Sequence, residues 1–271
     1  MLFFILFWLI LFGAAIGSFL NVVIYRFPAD LSLVFPPSHC PKCKHPIRWF
    51  DNVPVLGWII LRGKCRDCGL PISVRYPMIE AICGMIFGFV GFVFMHDRFP
   101  AGIPSIDMES QLVLVAYNSL LLTTLLAAGM IEFDGKKVPV KLFVPIMFFG
   151  LMICWEYRQQ HPLPFFQVDF KTHKHPLWYE NWGGGIDAIV GVIAAVGFSC
   201  LLVPIVAKER RSGIFATNVA AGLSFGWQFT LVSTIGVLLF WILTRICGWR
   251  PLPGLALLIF CAVWLIMLYY T

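Results

Sequence analysis

The chain has 271 residues, of which 59% are hydrophobic and 13% are charged, with a mean hydropathy of +0.84. Soluble domains carry about 25% charge, so an ordinary cytosolic enzyme is excluded, as is a disordered chain, which combines low hydrophobicity with high net charge. The net charge of +6 is no argument for nucleic acid as a partner, because in so apolar a chain the location of the charges matters more than their sum.

A helix crosses about 30 Å of hydrocarbon with about 20 apolar residues. Residues 2–25 satisfy this, and they are too long and lack the basic flank of a cleaved signal peptide. Residues 27–77 follow as a basic loop rich in Pro and Cys, and then come apolar stretches at 79–95, 111–131 and 142–155. A second long loop, 156–185, is full of aromatics and His, with His161 ahead of an H-x-H at His173 and His175. A lone H-x-H is weak support for a metal, and solvated histidines are the simpler reading. The last spans expected are 186–207, a short small-residue-rich stretch at 214–226, then 227–243 and 252–270. With eight spans and the N-terminus outside, sixteen of the 20 Lys and Arg fall on the cytoplasmic side. Dropping the short span moves Arg245 and Arg250 outside and weakens that asymmetry. The expected fold is therefore an all-α polytopic membrane protein of about eight transmembrane helices. It divides into a first span at 1–26, a cytoplasmic loop at 27–77 and a multi-span membrane domain at 78–271 whose external loop is 156–185. No internal repeat, low-complexity tract or nucleotide-binding glycine motif stands out. A transporter is disfavoured because the span interiors hold almost none of the charges that mark an ion path.

Four of the nine cysteines form two C-x2-C knuckles in the cytoplasmic loop, Cys40-Pro41-Lys42-Cys43 and Cys65-Arg66-Asp67-Cys68. Two such hooks present four thiolates in a tetrahedron, which suits zinc at about 2.3 Å per Zn–S bond. Disulfides are the alternative, but thiols stay reduced in the cytoplasm. Lys42, Lys44, Lys64 and Arg66 are placed to offset the negative charge. Four thiolates leave no open position for water, so the zinc is expected to be structural. Cys83, Cys154, Cys200, Cys247 and Cys261 are scattered in apolar stretches and read as small hydrophobes.

Around these knuckles the sequence resembles the type IV prepilin peptidases, which also carry N-methyltransferase activity. The matching residues run from Gly17-Ser18-Phe19-Leu20-Asn21 to Tyr25-Arg26, through Pro36-Pro37-Ser38-His39-Cys40, Asp51-Asn52-Val53-Pro54 to Trp58 and Leu61-Arg62-Gly63-Lys64-Cys65, ending at Ser73-Val74-Arg75-Tyr76-Pro77-Met78-Ile79-Glu80. The resemblance implies a multi-pass protein of the bacterial inner membrane whose partners are the lipid bilayer and the N-terminal segments of prepilins or pseudopilins, with no nucleic acid. It implies cleavage of a short basic leader by two aspartates at the cytoplasmic surface, then methylation of the new N-terminus from S-adenosylmethionine. No methyl-donor site is recognisable in the residues.

The aspartate positions depart from the family pattern. Where the family has I-D-x-D-x4-P-D, the chain reads Ile131-Glu132-Phe133-Asp134-Gly135-Lys136-Lys137-Val138-Pro139-Val140, with the register held by Pro139 and Pro145. The resemblance thus puts Glu132 at the first catalytic position and keeps Asp134 as the second acid, with Val140 in place of the third. The second aspartate lies in G-x-G-D ahead of a glycine-rich run whose end matches Gly222, Gly226, Trp227 and Gln228. Counting back places Gly213 before it and Ile214 upon it, with Ala216 where the family has lysine. Asp187 aligns with a non-catalytic span start, and Glu209 reads as a loop acid paired with its basic neighbours. Two readings follow: a homologue whose proteolysis is impaired or lost, which still binds pilin-like segments or methylates them, or an active peptidase using Glu132 or Asp134 with another acid such as Glu209.

Overall fold

A computed structural model of the protein describes residues 2–95, 108–156, 189–197, 219, 258–259 and 261–263. It is helical, and no strand occurs among the described residues. The helices are α1 (Leu2–Arg26), α2 (Leu56–Ile60), α3 (Arg75–Met95), α4 (Met108–Phe133) and α5 (Val144–Glu156). The chain divides into two compact units, Met1–Ser119 and Leu120–Thr271, with the boundary inside α4.

Three stretches of these helices are long and apolar enough to cross a membrane: Leu2–Ala29, Arg75–Met95 and Gln111–Phe133. They coincide with the first three expected spans. The start of α3 differs, at Arg75 rather than 79. Pro77 is tolerated there because a first-turn N–H has no intrahelical acceptor to lose. Across the span expected at 142–155, Val140–Phe143 winds as a 3-10 turn and passes into the 13-residue α5. Residues 189–197 are helical, within the span expected at 186–207. The spans at 214–226, 227–243 and 252–270, the loop 157–185 and its histidines lie largely or wholly outside the described residues.

In the first unit, α1 packs along α3. The buried positions of α1 (Gly13, Gly17, Leu20, Val23 and Ile24) recur at helical spacing, as do Ile79, Cys83, Phe87, Val90 and Phe94 on α3. Lipid tails are as apolar as leucine, so such a pair is held by close packing and polar cross-links rather than by expulsion of water. Gly17 shows the closeness: a Cβ there would lie 2.7 Å from Glu80 Cα and 3.0 Å from Cys83 Cβ. Phe12 and Phe87 meet edge to face at 5.7 Å, and Asn21 Nδ2 donates to the Tyr76 carbonyl at 3.2 Å. Phe3, Phe4, Phe7, Trp8 and Phe12 are exposed, as befits a lipid-facing surface. Buried Cys83 fits its reading as a small hydrophobe, and so does buried Cys261.

In the second unit, α4 continues to Phe133 with Leu121, Leu122, Leu125 and Ile131 almost fully buried. Gly135, at φ +72°, ends the helix. Its N–H bonds the Glu132 carbonyl at 2.9 Å, and the Lys136 N–H bonds that of Ile131 at 3.1 Å. This paired closure satisfies carbonyls that the helix end would leave orphaned, and the left-handed residue it requires is cheapest as glycine.

Candidate metal centre and acidic position

The loop between α1 and α3 is built from two copies of one turn. In the first, Cys40 N–H bonds the His45 carbonyl and Lys44 N–H bonds the Cys40 carbonyl, both at 3.0 Å. In the second, Cys65 N–H bonds Leu70 at 2.8 Å and Gly69 N–H bonds Cys65 at 2.9 Å. Lys44 (φ +62°) and Gly69 (φ +69°) hold the same left-handed position, and Pro46 and Pro71 each pair with the residue before the first cysteine of their knuckle. The pattern C-x2-C-x-x-P is thus an internal repeat, too short for sequence reading to separate from coincidence.

The two knuckles bring all four sulfurs within 4.8 Å of one another, with Cys40 and Cys68 at 3.6 Å and Cys43 and Cys65 at 4.0 Å. A tetrahedron with arms of about 2.3 Å has edges of about 3.8 Å, so the cluster fits one zinc ion. The N–H groups of Cys43 and Lys42 pull the Cys40 thiol down to about 6. At Cys43 the His45 N–H favours the thiolate, but desolvation and the three neighbouring thiols outweigh it and push the group up to about 12. Binding of a metal by such thiols couples to their deprotonation. His45 and Asp67 also approach Cys43, but both are exposed.

Salt bridges join the knuckles to the segment between them. Arg66 grips Asp51, with Nε 2.9 Å from Oδ2, and stacks over Phe50 at 5.5 Å from the ring centre. Arg48 reaches Asp67 at 3.1 Å. The Arg66 hydrogen bonds hold the Asp51 carboxyl below the usual carboxylate range, with Coulombic help from Arg66 and Arg48. Arg66, expected to offset thiolate charge, is therefore committed to an acid.

The loop is also fastened to the helices. Val55, at φ +61° and ψ −51°, forms a tight three-residue turn in which Leu56 N–H bonds the Pro54 carbonyl at 2.6 Å. Its own N–H donates to Glu80 Oε2 on α3 at 2.7 Å. Trp58 Nε1 donates to the Ile72 carbonyl at 2.9 Å. Sequence reasoning gave Glu80 no role. The available signal was a single carboxylate in an apolar span, which is costly unless partnered.

The first acidic position lies in the second unit. Glu132, in the last turn of α4, is 3% exposed, whereas Asp134, in the turn beyond, is open to solvent. Ile214, Glu209 and Asp187 lie outside the described residues.

Comparison with known proteins bears on these sites. The family model described as "Bacterial Peptidase A24 N-terminal domain" matches residues 11–94, which hold the C-terminal part of α1, both knuckles and nearly all of α3. A "Prepilin leader peptidase/N-methyltransferase" of Klebsiella pneumoniae is 37% identical over 226 residues, covering 81% of this chain and 85% of the relative. One of Stutzerimonas stutzeri is 30% identical over 262 residues, covering 86% and 79%. One of Myxococcus xanthus (strain DK1622) is 38% identical over 149 residues, which span 54% of this chain and only 39% of that relative. No solved structure matches the chain.

Proposed function

The chain belongs to the prepilin leader peptidase/N-methyltransferase family, and from that premise we propose that it binds pilin-like leader segments at the cytoplasmic face of a bacterial inner membrane, with leader cleavage impaired or lost. What carries the reading is a carboxyl missing from the family pattern: in the register that the resemblance implies, Glu132 takes the first acid position and Ile214 the second. Cleaving a peptide bond with carboxylates divides two roles between two groups. One, ionised, takes a proton from the attacking water; the other, protonated, assists the carbonyl or the leaving amine. Isoleucine fills neither role. At the first position Glu for Asp moves the carboxyl by a methylene, and a misplacement of about 1 Å costs on the order of 100-fold.

The alternative, an active peptidase built on Glu132 or Asp134 with another acid such as Glu209, asks one of these for a partner. Glu132 and Asp134 are poor partners for each other. Two residues apart at a helix end, they do not share a face, and their burial is opposite. By contrast, the half of the chain that holds the knuckles is kept, which favours retention of binding or of methyl transfer. Cys40, Cys43, Cys65 and Cys68 would hold a structural zinc that cross-links the loop. S-adenosylmethionine would serve as methyl donor by family membership alone.

The test is leader cleavage of a prepilin in lipid vesicles, comparing the wild type with Glu132→Ala. Wild-type cleavage at least about 100-fold below that of an active relative, unchanged by the substitution, is expected when general acid–base chemistry is lost. Efficient wild-type cleavage that Glu132→Ala abolishes overturns the proposal. Methylation of a pre-cleaved pilin peptide, followed separately, reports whether the second family activity survives.

A further inference from the structure

In α2 the residues Leu56, Ile59 and Ile60 are 55%, 56% and 68% exposed. Spaced i, i+3 and i+4, they form one face of the helix, while Gly57 on the other side is buried. Three large aliphatic side chains side by side on a water-facing loop mark a surface that is covered by something.

Its attachment ties this face to the start of a membrane-capable helix. The residue before α2, Val55, is hydrogen-bonded at 2.7 Å to Glu80. Glu80 stands five residues into α3, about 7.5 Å along its axis at 1.5 Å per residue. Interfacial helices bury their apolar face about 5–10 Å into the boundary between headgroups and acyl chains. Tyr76 and Met78, in the first turn of α3, are each 49% exposed at the same end of the span. The chain leaves α2 through exposed Arg62 and Lys64 and reaches α3 at Arg75, with no acid between Asn52 and Arg66. Basic residues beside an apolar face suit anionic headgroups, worth about 1 kcal/mol each near a charged leaflet.

We propose that the Leu56–Ile59–Ile60 face of α2 is a membrane-surface anchor. These three side chains insert at the headgroup–acyl boundary, Arg62 and Lys64 lie among anionic headgroups, and the Glu80 hydrogen bond holds the helix at that depth. The occupant is lipid rather than a protein helix because the face is tied to a span and followed in the chain by the exposed cations Arg62 and Lys64.

The test uses the unmodified full chain in nanodiscs of phosphatidylethanolamine and phosphatidylglycerol, a fraction of the latter carrying a diazirine in its acyl chain. After photolysis, peptide mapping by mass spectrometry locates the label. Adducts are expected on α1, on α3 and on residues 56–60, with residues 38–48 labelled at least about tenfold less, the contrast between boundary-level and aqueous side chains. Label on α1 and α3 with residues 56–60 as low as 38–48 overturns the proposal; a face covered by a second copy or by a pilin-like helix gives that result. Ile59→Asp with Ile60→Asp, checked for unchanged bound metal, should lose the α2 label while keeping that on α1. Retention of the α2 label in that variant also overturns it.

Discussion

Serine at both Cys40 and Cys65 takes one thiolate from each knuckle and leaves two sulfurs, too few to hold a tetrahedral zinc against water. Metal analysis of the purified wild type should give one zinc per chain and the double variant almost none; unchanged zinc in the variant refutes the site. Glu80 fixes the same loop by another means. Its carboxyl accepts the N–H of Val55, a β-branched residue at positive φ in a turn that is costly for such a side chain. Glu80→Ala strands that donor, and a hydrogen bond to a charged group contributes about 2 kcal/mol, so amide exchange at residues 53–57 should quicken by about 30-fold. Glu80→Gln keeps an acceptor and should fall between the two. Equal exchange in all three proteins, followed by mass spectrometry in nanodiscs, would show that the loop is held elsewhere.

At the scale of elements, α1, α3 and α4 were legible because a bilayer imposes a length, and a run of apolar residues meeting it has few other uses. What periodicity hides is which face is inside: both lipid and partner helix accept Leu and Phe, and only the small residues mark the contact. Gly17→Ala puts a methyl group against the Glu80 backbone, where no side chain is free to move aside. Forcing the helices apart should cost about 1–3 kcal/mol, lowering the thermal midpoint in detergent. A midpoint unchanged within error would mean that α1 and α3 cross elsewhere. The five-residue α2 left no periodic signal, because it exists through contacts distant in sequence: Val55 with Glu80, Trp58 with Ile72. The knuckles, whose geometry is local, were legible almost entirely. The capped end of α4 buries Glu132 and exposes Asp134, a contrast that two acids two residues apart do not announce, because it depends on what packs around the helix end.

Over the whole molecule, the charges bind these pieces to an orientation. From Arg26 to Arg75 the chain carries eight Lys and Arg; the segment between α3 and α4 carries only Arg98; Lys136, Lys137 and Lys141 follow α4. Basic residues resist translocation when they lie close to a span, so the knuckle loop and the end of α4 should share the cytoplasmic side. The thiols argue the same way: four cysteines this close would oxidise in an oxidising compartment, whereas in the cytoplasm they remain available to a metal. Fusing alkaline phosphatase, which is active only after export, after residue 64, after residue 104 or after residue 137 reads this directly. The fusion after 104 should be active and the other two inactive. Activity after 64 would invert the molecule, placing the knuckles where disulfides form and removing the zinc reading. Activity after 137 alone would separate Glu132 from the face at which a leader segment could meet the loop, and would remove the proposed function while leaving the metal site intact.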